Sequence, residues 1–215
     1  LIQVVLAPDF DPTRLPDAPP SVMPFSAVNK AQRRVRLLDP IQTHPSVVAG
    51  VIADASVEKI LHDAGQDLQH IHHWCRALPV NVFDTRLAAG FCGLPSTLSL
   101  RQLLTDTLGI DLPKTETRTN WMRRPLSDAQ LLYAADDVAY LGEVRAHLVE
   151  RARELGTVGW MMEEMQALND PERYTEDAIG EAWRRMKVPV TAFKTVRQRL
   201  RLRALAAWRE ETARR

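Results

Sequence analysis

Short apolar runs that alternate with helix-patterned sequence constrain the fold of this chain more than any other feature. "LIQVVL" at residues 1–6, "RVRLL" at 34–38, "VEKILH" at 57–62 and "VNVFDT" at 80–85 have the length and composition of buried strands. "HPSVVAGVIAD" (44–54), "DLQHIHHWCRAL" (67–78), residues 86–92 and residues 99–109 read as helices set among them. This order predicts an α/β domain with helices packed against a mixed sheet. Residues 7–33 break the pattern, being rich in Pro, Asp and Ser, and read as a long exposed loop or insertion. After Gly156 the sequence turns fully helical, in "WMMEEMQAL", "DAIGEAWRRM" and "VRQRLRLRALAAWREETARR".

Within the α/β part, "QLLYAADDVAYLGEVRAHL", Gln130 to Leu148, reads as one long helix that begins at Ser127 and Asp128, with Ser127 as its N-cap. Leu132, Ala135, Val138 and Leu141 form its expected core stripe. Tyr133 and Asp137 are four apart and share a face, half-buried at the margin of that stripe, while Asp136 points away from them. A phenol and a carboxylate so placed serve either a structural network or chemistry. Asp67, at a strand-to-helix junction, is a further acid at an element end, where α/β folds place their sites. Asp84 ends a strand and is expected to cap the following helix.

Charge is unevenly distributed. Arg184 to Arg215 contains eleven Lys or Arg against two acids, a local +9, which leaves −8 on Leu1 to Trp183 because the whole chain carries +1. A basic tail on an acidic body points to a polyanionic partner or to a solvated basic helix. In that tail Leu205 and Trp208 are expected to join Val196 and Leu200 on one apolar face. No apolar run approaches the roughly 18 residues of a membrane span, and no signal peptide opens the sequence. Two cysteines give no disulfide framework, so a reducing cytoplasm is the expected location. The first residue is Leu rather than Met, from which the natural N-terminus is expected to lie upstream.

Lys114, Arg118, Trp121, Arg123 and Arg124 either contact phosphates and stack on bases or, for Trp121 and Arg124, pack the turn that leads into the long helix. "HIHHWC" places His70 and His73 three apart, but without a second ligand cluster zinc is not adopted. Asp170-Pro171-Glu172 reads as a helix cap.

"HDAGQDL", "FDTRLAAGFCG", "TETRTNWMRRPLS" and "YAADDVAYL", in that order, resemble ribonuclease D and its relatives over about Leu1 to Leu148. The C-terminal helix "LRALAAWREETARR" resembles the start of the helicase-and-RNase-D C-terminal domain, a helical nucleic-acid-binding module. The resemblance implies an RNase H-like fold and a three-prime-to-five-prime exoribonuclease acting on single-stranded three-prime ends and tRNA precursors. It implies two Mg²⁺ or Mn²⁺ ions, with Asp67 and Asp137 as metal ligands and Tyr133 orienting the attacking water. Lys114, Arg118, Trp121 and Arg124 are then the expected substrate contacts. It divides the chain into a nuclease domain at 1–155, a helical linker at 156–190 and the start of the C-terminal module at 191–215. The family's first motif, Asp-x-Glu, lies on the strand before the segment that matches "LIQVV". Neither of its acids is among these residues, so the 215-residue chain is expected to be nearly inactive. A catalytically dead nucleic-acid-binding module and a DNA-directed exonuclease are the rival readings.

Overall fold

The computed structural model describes residues 2–5, 31–32, 35–95, 97–113, 116, 119–174, 183 and 195–213. The insertion at 7–33 lies almost wholly outside them, as do Lys114, Arg118 and most of "DAIGEAWRRM". The chain forms two units, Leu1–Asn169 and Asp170–Arg215.

The first unit contains two strand pairs. β1 (Ile2–Val5) runs antiparallel to β2 (Val35–Leu38), with Ile2 opposite Leu38 and Val5 opposite Val35. β3 (Lys59–Leu61) runs parallel to β4 (Val82–Asp84), with Leu61 opposite Asp84. A parallel pair needs a crossover connection, and α2 (Ala64–Cys75) supplies it. The helix expected from Asp67 thus starts one turn earlier, so Asp67 lies in its first turn. α1 (Ser46–Ala53) precedes β3, α3 (Thr85–Phe91) follows β4 directly, and α4 (Leu100–Leu108) starts at Ser99, whose side chain caps it.

The long helix read from the sequence is two helices. α5 (Asp128–Ala139) and α6 (Leu141–Glu154) meet at Tyr140, whose backbone (φ −113°, ψ 5°) leaves the helical region. α5 begins with a complete capping box, Ser127 and Gln130 each accepting from the other's backbone N–H. Its buried stripe only partly matches the expected one: Ala135 and Leu141 are buried as expected, whereas Leu132 and Val138 give way to Leu131, Ala134 and Ala139. Leu131, Ala134, Ala135 and Ala139 are buried against Val35, Leu37 and Leu126, while Leu132 and Val138 are only half-buried. Alternate residues of a strand face opposite ways, so β2 directs Val35 and Leu37 toward α5. Leu38 instead packs with Val48 and Ile52 of α1, beside Ile71 and Trp74 of α2.

α7 (Val158–Gln166) moves the expected domain boundary. It packs on α3, α6 and β4. Met161 and Met165 are buried, the Asp84 amide donates to the Met165 sulfur at 3.3 Å, and the Thr157 hydroxyl donates to the Phe91 carbonyl at 2.8 Å. Residues 156–169 therefore belong to the first unit rather than to a linker, because the apolar face of α7 completes its core. In the second unit, Asp170 accepts from the Glu172 amide at 2.9 Å, which is the cap expected there. α8 (Val196–Ala213) corrects another expectation. At about 100° per residue Leu205 lies on the opposite side of the helix from Val196, so no single apolar face forms. Val196, Leu200, Leu205 and Trp208 are all exposed, and Ala206 is the buried position.

One ion pair ties the turn before α5 to the end of β2. The Asp39 side chain has no solvent exposure, and Arg124 grips it with two parallel bonds, Nε to Oδ2 at 2.6 Å and Nη2 to Oδ1 at 2.9 Å. Arg124 Nη1 also donates to the Trp121 and Arg123 carbonyls. The guanidinium and the Ile41 amide hold the Asp39 carboxyl below its ordinary range despite its burial. Breaking a buried pair strands the remaining charge, at about 3–5 kcal/mol. Asp39→Asn should therefore lower unfolding stability by roughly that amount. Because the folded pKa is depressed, the wild-type advantage should be constant above the unfolded carboxylate pKa of about 3.9 and shrink as pH falls below it. Urea unfolding of both proteins across that range measures this. An advantage unchanged down to the lowest pH would contradict the ionic role.

Candidate active site

Tyr133 and Asp137 lie one turn apart on α5 and are both half-buried, as the spacing required. Asp136 points elsewhere. Its side chain is only 7 % exposed and accepts from the Gln32 side-chain amide at 2.5 Å. Asp137 has no hydrogen-bond partner among the described residues. Burial first, and the Asp136 charge second, push its pKa up to about 6. The Tyr133 hydroxyl is raised above its usual value, by desolvation and then by Asp137, so it stays a proton-bearing donor at neutral pH. Trp121 flanks it, the ring centroids 6.0 Å apart and the planes tilted by 49°.

Asp67 belongs to a second acidic group, at the carboxyl end of the parallel pair. It is exposed on the first turn of α2. Desolvation raises its pKa, His70 partly offsets this, and Asp63 and Asp84 add to the rise. Asp63 precedes the helix in a left-handed conformation (φ 61°), which Asp tolerates better than most residues. It pairs with Arg86 from α3. Asp84 caps α3 as expected, accepting from the Arg86 and Leu87 amides, and accepts from the Asp63 and Ala64 amides as well. His62 Nδ1 lies 3.0 Å from the Thr85 hydroxyl, which donates to the Leu61 carbonyl.

The structure thus brings Tyr133, Asp137 and Trp121 together, and sets Asp67 among Asp63, Asp84 and His70. Arg124 is committed to Asp39 and two carbonyls, which favours its packing role over phosphate contact. Trp121 packs on the α5 core cluster while touching Tyr133. Arg123 remains exposed and borders a groove of about 460 Å³ at the start of α5, with Thr119, Asn120 and Gln130 also lining it. The sequence alone did not mark Asp63, Arg86 or Gln32 as functional positions. Only the "HD" at the end of "VEKILHD" hinted at the first, and nothing local pointed to the others. Oxygen donors such as Asp67 and Asp137 suit hard divalent cations. Yet no group of three or more His, Cys, Asp or Glu among the described residues is placed to hold a metal, so the donor type fits while the set is incomplete.

A three-prime-to-five-prime exonuclease family model matches residues 26–153. The chain belongs to that exonuclease family, and its α/β core is the RNase H-like fold of such enzymes. Its relatives there are ribonucleases D. The Desulfotalea psychrophila ribonuclease D is 40% identical over 82% of this chain and 47% of its own length. The crystal structure of Escherichia coli RNase D, an exoribonuclease involved in structured RNA processing, aligns with a TM-score of 0.67 at 32% identity, over 83% of this chain and 48% of that one. Brucella melitensis NrnC with bound Mg²⁺ aligns with a TM-score of 0.56 at 26% identity, over 67% of each chain. The chain spans about half the length of the ribonucleases D it matches.

The desolvated Asp137 carboxylate gives a stability signature. A carboxyl whose folded pKa is raised favours the fold below its unfolded pKa and loses that contribution as pH rises through about 6. Asp137→Asn should thus be more stable than the parent at pH 7.5, by on the order of 1–3 kcal/mol. The gain should fade as pH falls toward 4. Thermal unfolding of both proteins against pH checks this, and equal midpoints at pH 7.5 would show that Asp137 is well solvated.

Proposed function

We propose that the protein this chain belongs to hydrolyses RNA from the three-prime end, releasing mononucleotides, with tRNA precursors and other structured RNAs as substrates. The observation that carries this reading is the Tyr133–Asp137 pair on α5, a protonated phenol beside a half-buried carboxylate that no described group satisfies. Divalent ions, Mg²⁺ or Mn²⁺, supply water activation and stabilise the leaving oxygen in such hydrolysis. Asp137 and Asp67 would hold them, with further oxygen donors completing the set.

The chain's own contribution follows from its geometry. The Tyr133 hydroxyl, kept protonated, can donate to or position a water on the Asp137 side of α5. Trp121 fixes the phenol ring from one side, which restricts where that hydroxyl points. In the sequence Lys114, Arg118 and Arg123 precede α5, and cations there can draw in the phosphodiester chain. The basic α8, with Arg197, Arg199 and Arg201 exposed, adds non-specific affinity through counterion release.

The test is shortening of a five-prime-labelled single-stranded RNA by the full natural chain across a metal titration. Tyr133→Phe should lower turnover by on the order of 10²–10⁴-fold and leave the half-maximal metal concentration unchanged. Asp137→Asn should raise that concentration or abolish activity. Parental turnover by Tyr133→Phe would reduce the tyrosine to core packing.

The tail is checked separately by RNA binding against salt. Replacing Arg197, Arg199 and Arg201 with Ala should weaken binding at low salt. The slope of log affinity against log salt should flatten by about 0.7 for each phosphate that is no longer neutralised. An unchanged slope would make α8 a solvated helix only.

A further inference from the structure

Asp84 is a buried carboxylate, 6 % exposed, that accepts from four backbone amides at two helix starts. Its Oδ1 takes the amides of Arg86 (2.8 Å) and Leu87 (3.3 Å), which open α3, and of Asp63 (3.0 Å), which precedes α2. Its Oδ2 takes the Ala64 amide, the first residue of α2, at 2.8 Å. A helix cap needs only the α3 bonds. The other two reach back some twenty residues to the helix that carries Asp67. The Asp63–Arg86 ion pair joins the same two helix starts from outside.

We infer that Asp84 is a positioning residue for Asp67. By fixing the amides of Asp63 and Ala64 it sets where α2 begins and how it is rotated. Asp67 sits on the first turn from that anchor, three residues after Ala64. Asp84 itself does not touch substrate. It acts through the backbone of α2, and the inference rests on the proposed role of Asp67 in hydrolysis.

Two substitutions separate this role from plain capping. Serine is as good an N-cap as aspartate, so Asp84→Ser keeps the start of α3, but one short hydroxyl cannot also span to Asp63 and Ala64. Asp84→Asn keeps an oxygen for Asp63, Arg86 and Leu87 and removes only the bond from Ala64. The measurements are turnover and KM on single-stranded RNA with the full natural chain, well below each variant's unfolding midpoint, and amide hydrogen exchange. In Asp84→Ser the Asp63 and Ala64 amides should exchange faster while Arg86 and Leu87 stay protected. Turnover should fall by on the order of 10–100-fold, the scale of a small misplacement of a reacting group, with KM unchanged. Asp84→Asn should recover most of that decrease. Parental turnover in Asp84→Ser, beside a clear defect in Asp67→Asn, overturns this inference alone. Parental turnover in Asp67→Asn overturns it together with the reading it rests on. Equal decreases in the Ser and Asn variants would assign the effect to the missing charge and also overturn it.

Discussion

The close approach of α5 to β2 is the contact on which the arrangement of the site depends. Ala134, Ala135 and Ala139 carry no side chain beyond Cβ and are fully buried against the cluster that holds Val35 and Leu37. Small residues let the helix lie near the strand, and close packing leaves little freedom for it to rotate. With that face fixed, Tyr133 and Asp137 must fall at the margin of the interface. Asp136 must fall inside it, where Gln32 satisfies it. Two adjacent carboxylates therefore have different fates, one paired in the interior and one left half-buried with no hydrogen-bond partner among the described residues.

The remaining buried polar groups hold elements in place. Asp39 and Arg124 pin the turn before α5 to the end of β2, and Asp84 joins the starts of α2 and α3. Lys59 is buried too, but its ammonium donates to the Asp54 and Val57 carbonyls at 2.7 Å, and desolvation lowers its pKa. Arg145 of α6 makes a two-bond pair with Glu58 and lies 5.4 Å from the centre of the Phe83 ring. Each of these groups is partnered, as buried polar groups must be to avoid a desolvation penalty. Against that background, the half-buried Asp137 carboxylate stands out, with no hydrogen-bond partner among the described residues.

Much of this was legible in the sequence. Spacing placed Tyr133 and Asp137 on one face and turned Asp136 away, and Ser127 and Asp84 were recognisable as caps from their positions. The errors came where local pattern competes with tertiary packing. Periodicity chose Leu132 and Val138 for the core of α5, because it ranks by hydrophobicity, whereas the strand selected the smaller Ala134 and Ala139. The break at Tyr140 has only Gly142 near it, and a single glycine inside a helical pattern is tolerated and so does not announce a break. α7 looked like linker because nothing local shows that Met161 and Met165 complete the core under α3. Long-range partners such as Gln32 for Asp136, 104 residues apart, leave no trace in a single sequence.

If hydrolysis takes place on the Asp137 side of α5, an ion must bind there, and the direct test is to see it. Crystals of the full natural chain grown with Mn²⁺ and measured at the manganese absorption edge would show each ion by its anomalous scattering. A peak is expected beside the Asp137 carboxylate, whose oxygens would hold a hard divalent cation. Ordered manganese elsewhere in the chain, with the Asp137 carboxylate bare, would contradict this placement of the reaction.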